Sequence, residues 1–160
     1  MRIPSRTGGP LLDAVGVAML VAGPAMLIRA GLGRRQIRRE LAAQEIAFPD
    51  DPPAAYARHA GRRVETGPQA CAFADVIRTN LAGFTGGRTY AQLGAELAAV
   101  KAEGGDGTRL TELQRTAFTG EMLRASLMSA YQAWQVTTLA AGLGALFTGL
   151  GAGLVSRRDH

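Results

Sequence analysis

Cysteine, histidine and lysine are nearly absent from this chain. Cys71 is the single thiol, His59 and His160 are the two imidazoles, and Lys101 is the one lysine beside seventeen arginines. One thiol excludes an intramolecular disulfide and a cysteine-built zinc centre. Flanked by alanines and followed by Phe73, Cys71 reads as a small packing residue, with a nucleophile as the competing reading. No HExxH, P-loop, GxGxxG, GxSxG or CxxC pattern occurs, so the sequence offers none of the usual catalytic or nucleotide-binding signatures. Asp50, Asp51 and Asp106 stand in turn contexts that capping and solvation explain, and Ser126 and Ser129 have no histidine near them in sequence. No catalytic residue, metal ligand or cofactor is expected. The net charge of +5 comes from the arginine excess, which alone is not a nucleic-acid signature, and no nucleic-acid partner is expected.

Charge is missing altogether from residues 125 to 156, and from Ala14 to Ile28 between Asp13 and Arg29. A membrane span needs about 20 apolar residues, because a rise of about 1.5 Å per residue must cover about 30 Å of hydrocarbon. Val136 to Val155 meets that length directly. Residues 11 to 32 meet it if Arg29 snorkels towards one interface while Asp13 lies at the other. The first run has two rivals: a cleaved secretory signal, with Arg2 and Arg6 as its basic region, and, for both runs, buried core helices of a soluble protein.

The expected fold is mainly α, two transmembrane helices flanking a helical polar region, with the second span extended by a long helix outside the bilayer. The expected order is a basic tail over 1–10, a first span over 11–32, a polar region over 33–133, a second span over 134–155 and a tail over 156–160. Within the polar region, helices are expected at about 34–46, 68–82, 90–102 and 112–133, with a strap over 47–67 that ends the first of them through Pro49, Pro52 and Pro53. RRVET inside that strap suits one short strand, with no alternating partner in view. Ala70, Phe73, Ala74, Ile77 and Leu81 recur at helical spacing. Thr89 with Gln92, and Thr111 with Gln114, each form a capping-box pattern ahead of an apolar series.

Two sets of residues stand out for membrane contact. Ala141, Ala145, Gly149 and Gly153 recur every fourth residue in the second run, and Ala14, Ala18 and Ala22 do so in the first. Small residues at that spacing let helix backbones approach in an apolar solvent, so these seven are the expected helix-packing residues, within one chain or between chains. Arg34, Arg35, Arg38 and Arg39 follow the first run, and Tyr131 and Trp134 precede the second. These six are the expected lipid-headgroup residues, basic side chains near anionic lipid contributing about 1 kcal/mol each. The alternative for the arginines is a solvated helix surface salt-bridged through Glu40 and Glu45.

LAAQEIAF, AGRRVETGPQACAFADVIRTN, GGRTYAQL and LRASL, in that order between two hydrophobic runs, resemble a group of uncharacterised actinobacterial two-span membrane proteins. The resemblance covers about residues 11 to 155 and is sharpest at residues 86–93 and 123–127. It implies an integral membrane protein with two spans. Some members carry a label naming an aromatic ring-opening dioxygenase. A non-haem iron site needs something like two histidines and a carboxylate, and His59 with His160 at the extreme C-terminus do not make one.

The expected function is therefore non-enzymatic: an accessory or scaffold subunit of the cell membrane that binds a partner protein through its helical polar region. The alternatives are a self-assembling, channel-like oligomer and a membrane protein that binds lipid or a hydrophobic ligand. Membrane lipid is an expected partner on every reading. Two spans put both termini on one side, and the arginines beside the spans slightly favour a cytoplasmic loop.

Overall fold

The computed structural model describes residues 8–156. Among them the chain is mainly α, with four α-helices: α1 Gly8–Ala43, α2 Gly67–Thr85, α3 Tyr90–Ala102 and α4 Thr108–Ser156. The tails beyond them, with Arg2, Arg6, Arg157, Arg158 and His160, lie outside the described residues. At about 1.5 Å per residue, the 49 residues of α4 reach on the order of 70 Å. Helices α1 and α4 each contribute to two compact units, which among the described residues comprise 8–37 with 134–156, and 38–133.

In the first unit α1 and α4 pack antiparallel. Gly16 lies against Leu154 and Val155, Gly23 against Gly144 and Thr148, and Gly33 against Thr137, so contacts advance along one helix as they retreat along the other. Among the described residues of this unit, those buried are glycines and one alanine: Gly16, Gly23, Ala30, Gly144 and Gly151. Leu20, Leu27, Leu154 and Val155 flank these glycines, and many of the large apolar side chains are left uncovered. Leu11, Leu12, Val15, Val17, Val21, Leu27, Ile28 and Leu32 of α1 are exposed, as are Val136, Leu139, Leu143, Leu146 and Leu150 of α4. Both helices are long and apolar enough to cross a membrane, and only 11 % of the apolar window of each is buried.

The second unit has an ordinary core. Leu41, Phe48, Val64, Val76, Leu93 and Leu127 are buried with Ala70, Ala74 and Ala117. Helix α1 stops at Ala43 because the chain turns there: Gln44 and Glu45 donate back to Leu41 and Ala42, and Glu45 takes a left-handed conformation with φ of 52°. The stop falls three residues before the boundary expected at 46. The strap is not a lone strand. Phe48 N–H donates to Arg62 O and Val64 N–H to Ile46 O, both at 2.9 Å, around an antiparallel bridge between Ala47 and Arg63. The partner of RRVET is thus the short stretch just after α1, where only Ile46 and Phe48 turn inward, too few to announce a strand by alternation. Between the paired stretches, Ala54–His59 forms a 3-10 turn.

Local signals set the middle helices. Thr66 caps α2 by accepting from Gln69 N–H, Pro68 sits in the first turn, and Gly86 ends the helix in the left-handed region with φ of 64°. Both bonds of the Thr89–Gln92 capping box form at the start of α3. The second capping box does not form. Helix α4 begins at Thr108, where the Asp106 carboxylate accepts from the Thr108 backbone N–H at 2.9 Å. Thr111 instead turns its hydroxyl back onto Gly107 O. A carboxylate two residues ahead of the first helical N–H is the better acceptor near the positive end of the helix dipole, and the Thr108 bonds hold Asp106 below the usual carboxylate range.

Candidate functional site

The seam between α1 and α4 begins from residues that lack side chains. A Cβ on Gly23 would stand 2.7 Å from Gly144 O, and one on Gly144 would stand 2.8 Å from Gly23 O. Gly16 and Gly151 face each other in the same way: a Cβ on Gly151 would stand 2.8 Å from Gly16 O and 2.9 Å from Leu20 N. These distances lie inside van der Waals contact, so nothing larger than hydrogen fits without separating the backbones. Thr148, which packs on Gly23, turns its hydroxyl onto Gly144 O of its own helix at 2.8 Å. That bond leaves no unsatisfied hydroxyl in the apolar seam.

The seam within the chain uses other positions than the seven residues expected for packing within or between chains. Ala14, Ala18, Ala22, Ala145, Gly149 and Gly153 are exposed, and Ala141 is half-buried at the edge of the seam. A Cβ added at Gly149 or Gly153 would meet nothing within 4 Å. The reason is helical phase. A step of four residues overshoots one turn by about 40°, so a four-residue series spirals around the helix, whereas a step of seven falls short by only about 20° and stays on one face. Gly16, Gly23 and Ala30, and opposite them Gly144 and Gly151, are spaced by seven. The seven-residue recurrence was the available signal.

At the end of the seam near Gly33 lies the main polar feature of this unit. Arg34 places its guanidinium over the Trp134 ring, 5.1 Å from the centroid. Its Nη2 donates to Thr138 Oγ1 at 2.9 Å. Of the expected headgroup residues, the structure thus joins Arg34 to Trp134 and adds Thr138, which sequence reasoning missed. Arg35 is exposed on the same helix. In the second unit Arg38 and Arg39 are exposed and Tyr131 is half-buried. Ion pairs Arg78–Asp75, Arg88–Glu96 and Arg124–Glu121 lie in the second unit.

The second unit offers two further features. Phe48 stacks on His59 at 4.9 Å and meets Phe73 edge-on at 5.1 Å, while Tyr56 donates to Asp75 Oδ2 at 3.1 Å, so the 3-10 turn is fastened to α2 from both ends. His59 Nε2 accepts from Arg58 and its Nδ1 is buried without a partner. Burial first, then the charges of Arg58 and Arg62, push the imidazole below its ordinary value. Burial and the Asp75 carboxylate push the Tyr56 hydroxyl up. Elsewhere a cleft of about 390 Å³ runs between α2 and α4, lined by Ile77, Leu81, Phe84, Arg115 and Leu123 among others. Phe84 is 72 % exposed. No group of three histidine, cysteine or acidic side chains among the described residues is placed to hold a metal ion. Cys71 is half-buried on α2. The chain matches no family model, no curated protein and no solved structure.

Proposed function

We propose that this chain is a two-span integral membrane protein, of the actinobacterial kind its motifs resemble, that acts without catalysis as an accessory or scaffold subunit. One observation carries the membrane reading: the α1–α4 unit buries glycine and alanine and exposes leucine, isoleucine and valine. In water such a unit has almost nothing to drive its association, because burying a glycine removes no side chain from solvent and the exposed aliphatic surface remains hydrated. In hydrocarbon the same arrangement is favourable, since lipid covers the leucines and close backbone contact supplies dispersion between helices. A core helix of a soluble protein would bury its large residues, and these helices do the reverse.

The partner-binding role rests on the helical unit, where Phe84 and Leu123 stand exposed at the cleft between α2 and α4, and Tyr90, Phe118 and Met122 are exposed as well. Apolar clusters on a polar unit mark interaction surfaces more often than single exposed residues do. The competing oligomer reading draws on Ala145, Gly149 and Gly153, whose outward face is free for a second copy. Purification from membranes in mild detergent, followed by native mass spectrometry, separates these readings. A fixed foreign subunit is the expected outcome. A homo-oligomer with no other protein contradicts it and supports self-assembly, and a monomer carrying only lipid supports a lipid binder.

A further inference from the structure

We propose that Arg34, held on the Trp134 ring, forms together with Arg35 a binding site for the phosphate of an anionic lipid headgroup. The proposal rests on the membrane-spanning reading above.

Arg34 follows the apolar stretch of α1 two residues after Leu32, about 3 Å further along the axis. Its stack on Trp134 and its bond to Thr138 Oγ1 fix the plane of the guanidinium. Donor capacity is left over: Nε is buried without an acceptor, and Nη1 makes no hydrogen bond within the protein. Arg34 is half-buried, and an arginine held in one orientation commonly pairs with a carboxylate. Here there is none to face. Asp13 is the one acidic side chain among the described residues of this unit, and at 21 positions along the helix it is about 30 Å away. Arg35, exposed and likewise in no ion pair, adds a second unneutralised charge one residue on.

Two guanidinium groups without counter-ions, one of them oriented by an indole, suit an oxyanion with several acceptor oxygens. A planar donor fork matches phosphate bidentately. A phosphodiester in a lipid and free inorganic phosphate share this chemistry. Exposed Leu32 and Val136, in the adjoining turns of the two helices, favour the lipid, because its acyl chains cover them while its phosphate meets the arginines. Trp134 then lies at the headgroup level, where indole rings partition.

The test offers the full-length protein in neutral detergent equimolar phosphatidylglycerol and phosphatidylcholine and counts retained lipid by native mass spectrometry. Two arginines at the surface predict a preference for phosphatidylglycerol of up to about thirtyfold. Arg34→Gln with Arg35→Gln should bring the ratio close to one. Arg35→Gln alone alters an exposed residue with no contact to lose, and should remove part of the preference. Arg34→Lys keeps the charge without the planar fork and should fall between the wild type and the double variant. Equal retention of the two lipids by the wild type, or a preference that survives the double substitution, overturns the site. Displacement of phosphatidylglycerol by excess inorganic phosphate overturns the lipid as its source. These failures leave the membrane reading standing, whereas a chain that is monodisperse in detergent-free buffer removes that reading instead.

Discussion

The two units of this chain solve packing with opposite materials. In the helical unit the buried positions are Leu41, Phe48, Val64, Val76, Leu93 and Leu127, with three alanines. In the α1–α4 unit they are Gly16, Gly23, Ala30, Gly144 and Gly151. The first set removes apolar surface from water, which is the main drive for folding there. The second removes less, because Leu20, Leu27, Leu154 and Val155 beside it are only partly covered. Its geometry is useful only where solvent already covers leucine and valine, and there a seam must be made of backbones that come close. On the proposed membrane reading, what each unit buries matches the solvent it is built for.

Enlarging a buried position should break the seam and merely perturb the core. Gly144→Leu with Gly151→Leu places two side chains where a Cβ already approaches backbone oxygen to 2.8 Å. The pair should abolish α1–α4 packing while leaving insertion intact, read as loss of an oxidative crosslink between cysteines placed on the two helices in a Cys71→Ala background. Gly149→Leu with Gly153→Leu meets open space, and should leave the crosslink unchanged. If the second pair is the disruptive one, the four-residue stripe is the packing face after all.

Shrinking a buried position should do the opposite. Leu93 is fully buried, and Leu93→Ala should destabilise the helical unit by about 2–5 kcal/mol through the cavity it leaves. The matching change in the seam, Gly151→Ala, enlarges rather than shrinks and should cost about 1–3 kcal/mol through overpacking. Thermal melts in detergent that follow helicity measure both. A neutral Gly151→Ala would mean the backbones are further apart than described.

The sequence made some of this legible and hid the rest for definable reasons. Uncharged runs and their lengths announced two long apolar helices, because composition alone controls that property. The Thr89–Gln92 box announced the start of α3, since capping is a local bond between residues three apart. The seam was misread because small residues are abundant in both runs, and several periodic series run through them. Only the partner helix selects among them, and it selected the seven-residue series through Gly16 and Gly144. The pairing of Ile46–Phe48 with Arg62–Val64 was hidden for a related reason: it joins stretches too short to alternate, and its information lies in Phe48 and Val64 meeting the core of a distant helix. Arg34 and Trp134 were each noticed, but nothing in the local sequence shows that residues a hundred positions apart share one stack.

Caps should give smaller effects than buried contacts. Thr89→Ala removes one bond of the capping box and should cost the helical unit about 0.5–2 kcal/mol, with a smaller loss for Thr111→Ala, whose hydroxyl donates back to Gly107 O just ahead of α4. An equal loss at Thr111 would place the start of α4 wrongly.

The smallest expected effect is on pH. His59 has its folded pKa pushed below the ordinary histidine value, so the fold favours the neutral ring. Its contribution to stability is complete above about pH 6.5 and is lost as pH falls through the lowered folded value. Protonation puts a proton on Nε2, breaks the bond from Arg58 and sets a charge beside Arg58 and Arg62. Melting of the helical unit should drop as pH falls from about 7.5 to about 5, and His59→Phe should flatten that slope. An unchanged slope in the variant would assign the pH dependence to other groups.

Alkaline carbonate extraction of membranes carrying the full-length chain, with its mass determined intact, addresses the inside-out unit most directly. Glycine inside and leucine outside predict that the protein stays in the membrane pellet at its translated length, because on the proposed reading both helices face hydrocarbon. Release into the supernatant, or a mass showing that the first apolar helix has been removed, would contradict a two-span hairpin packed through Gly16, Gly23, Gly144 and Gly151.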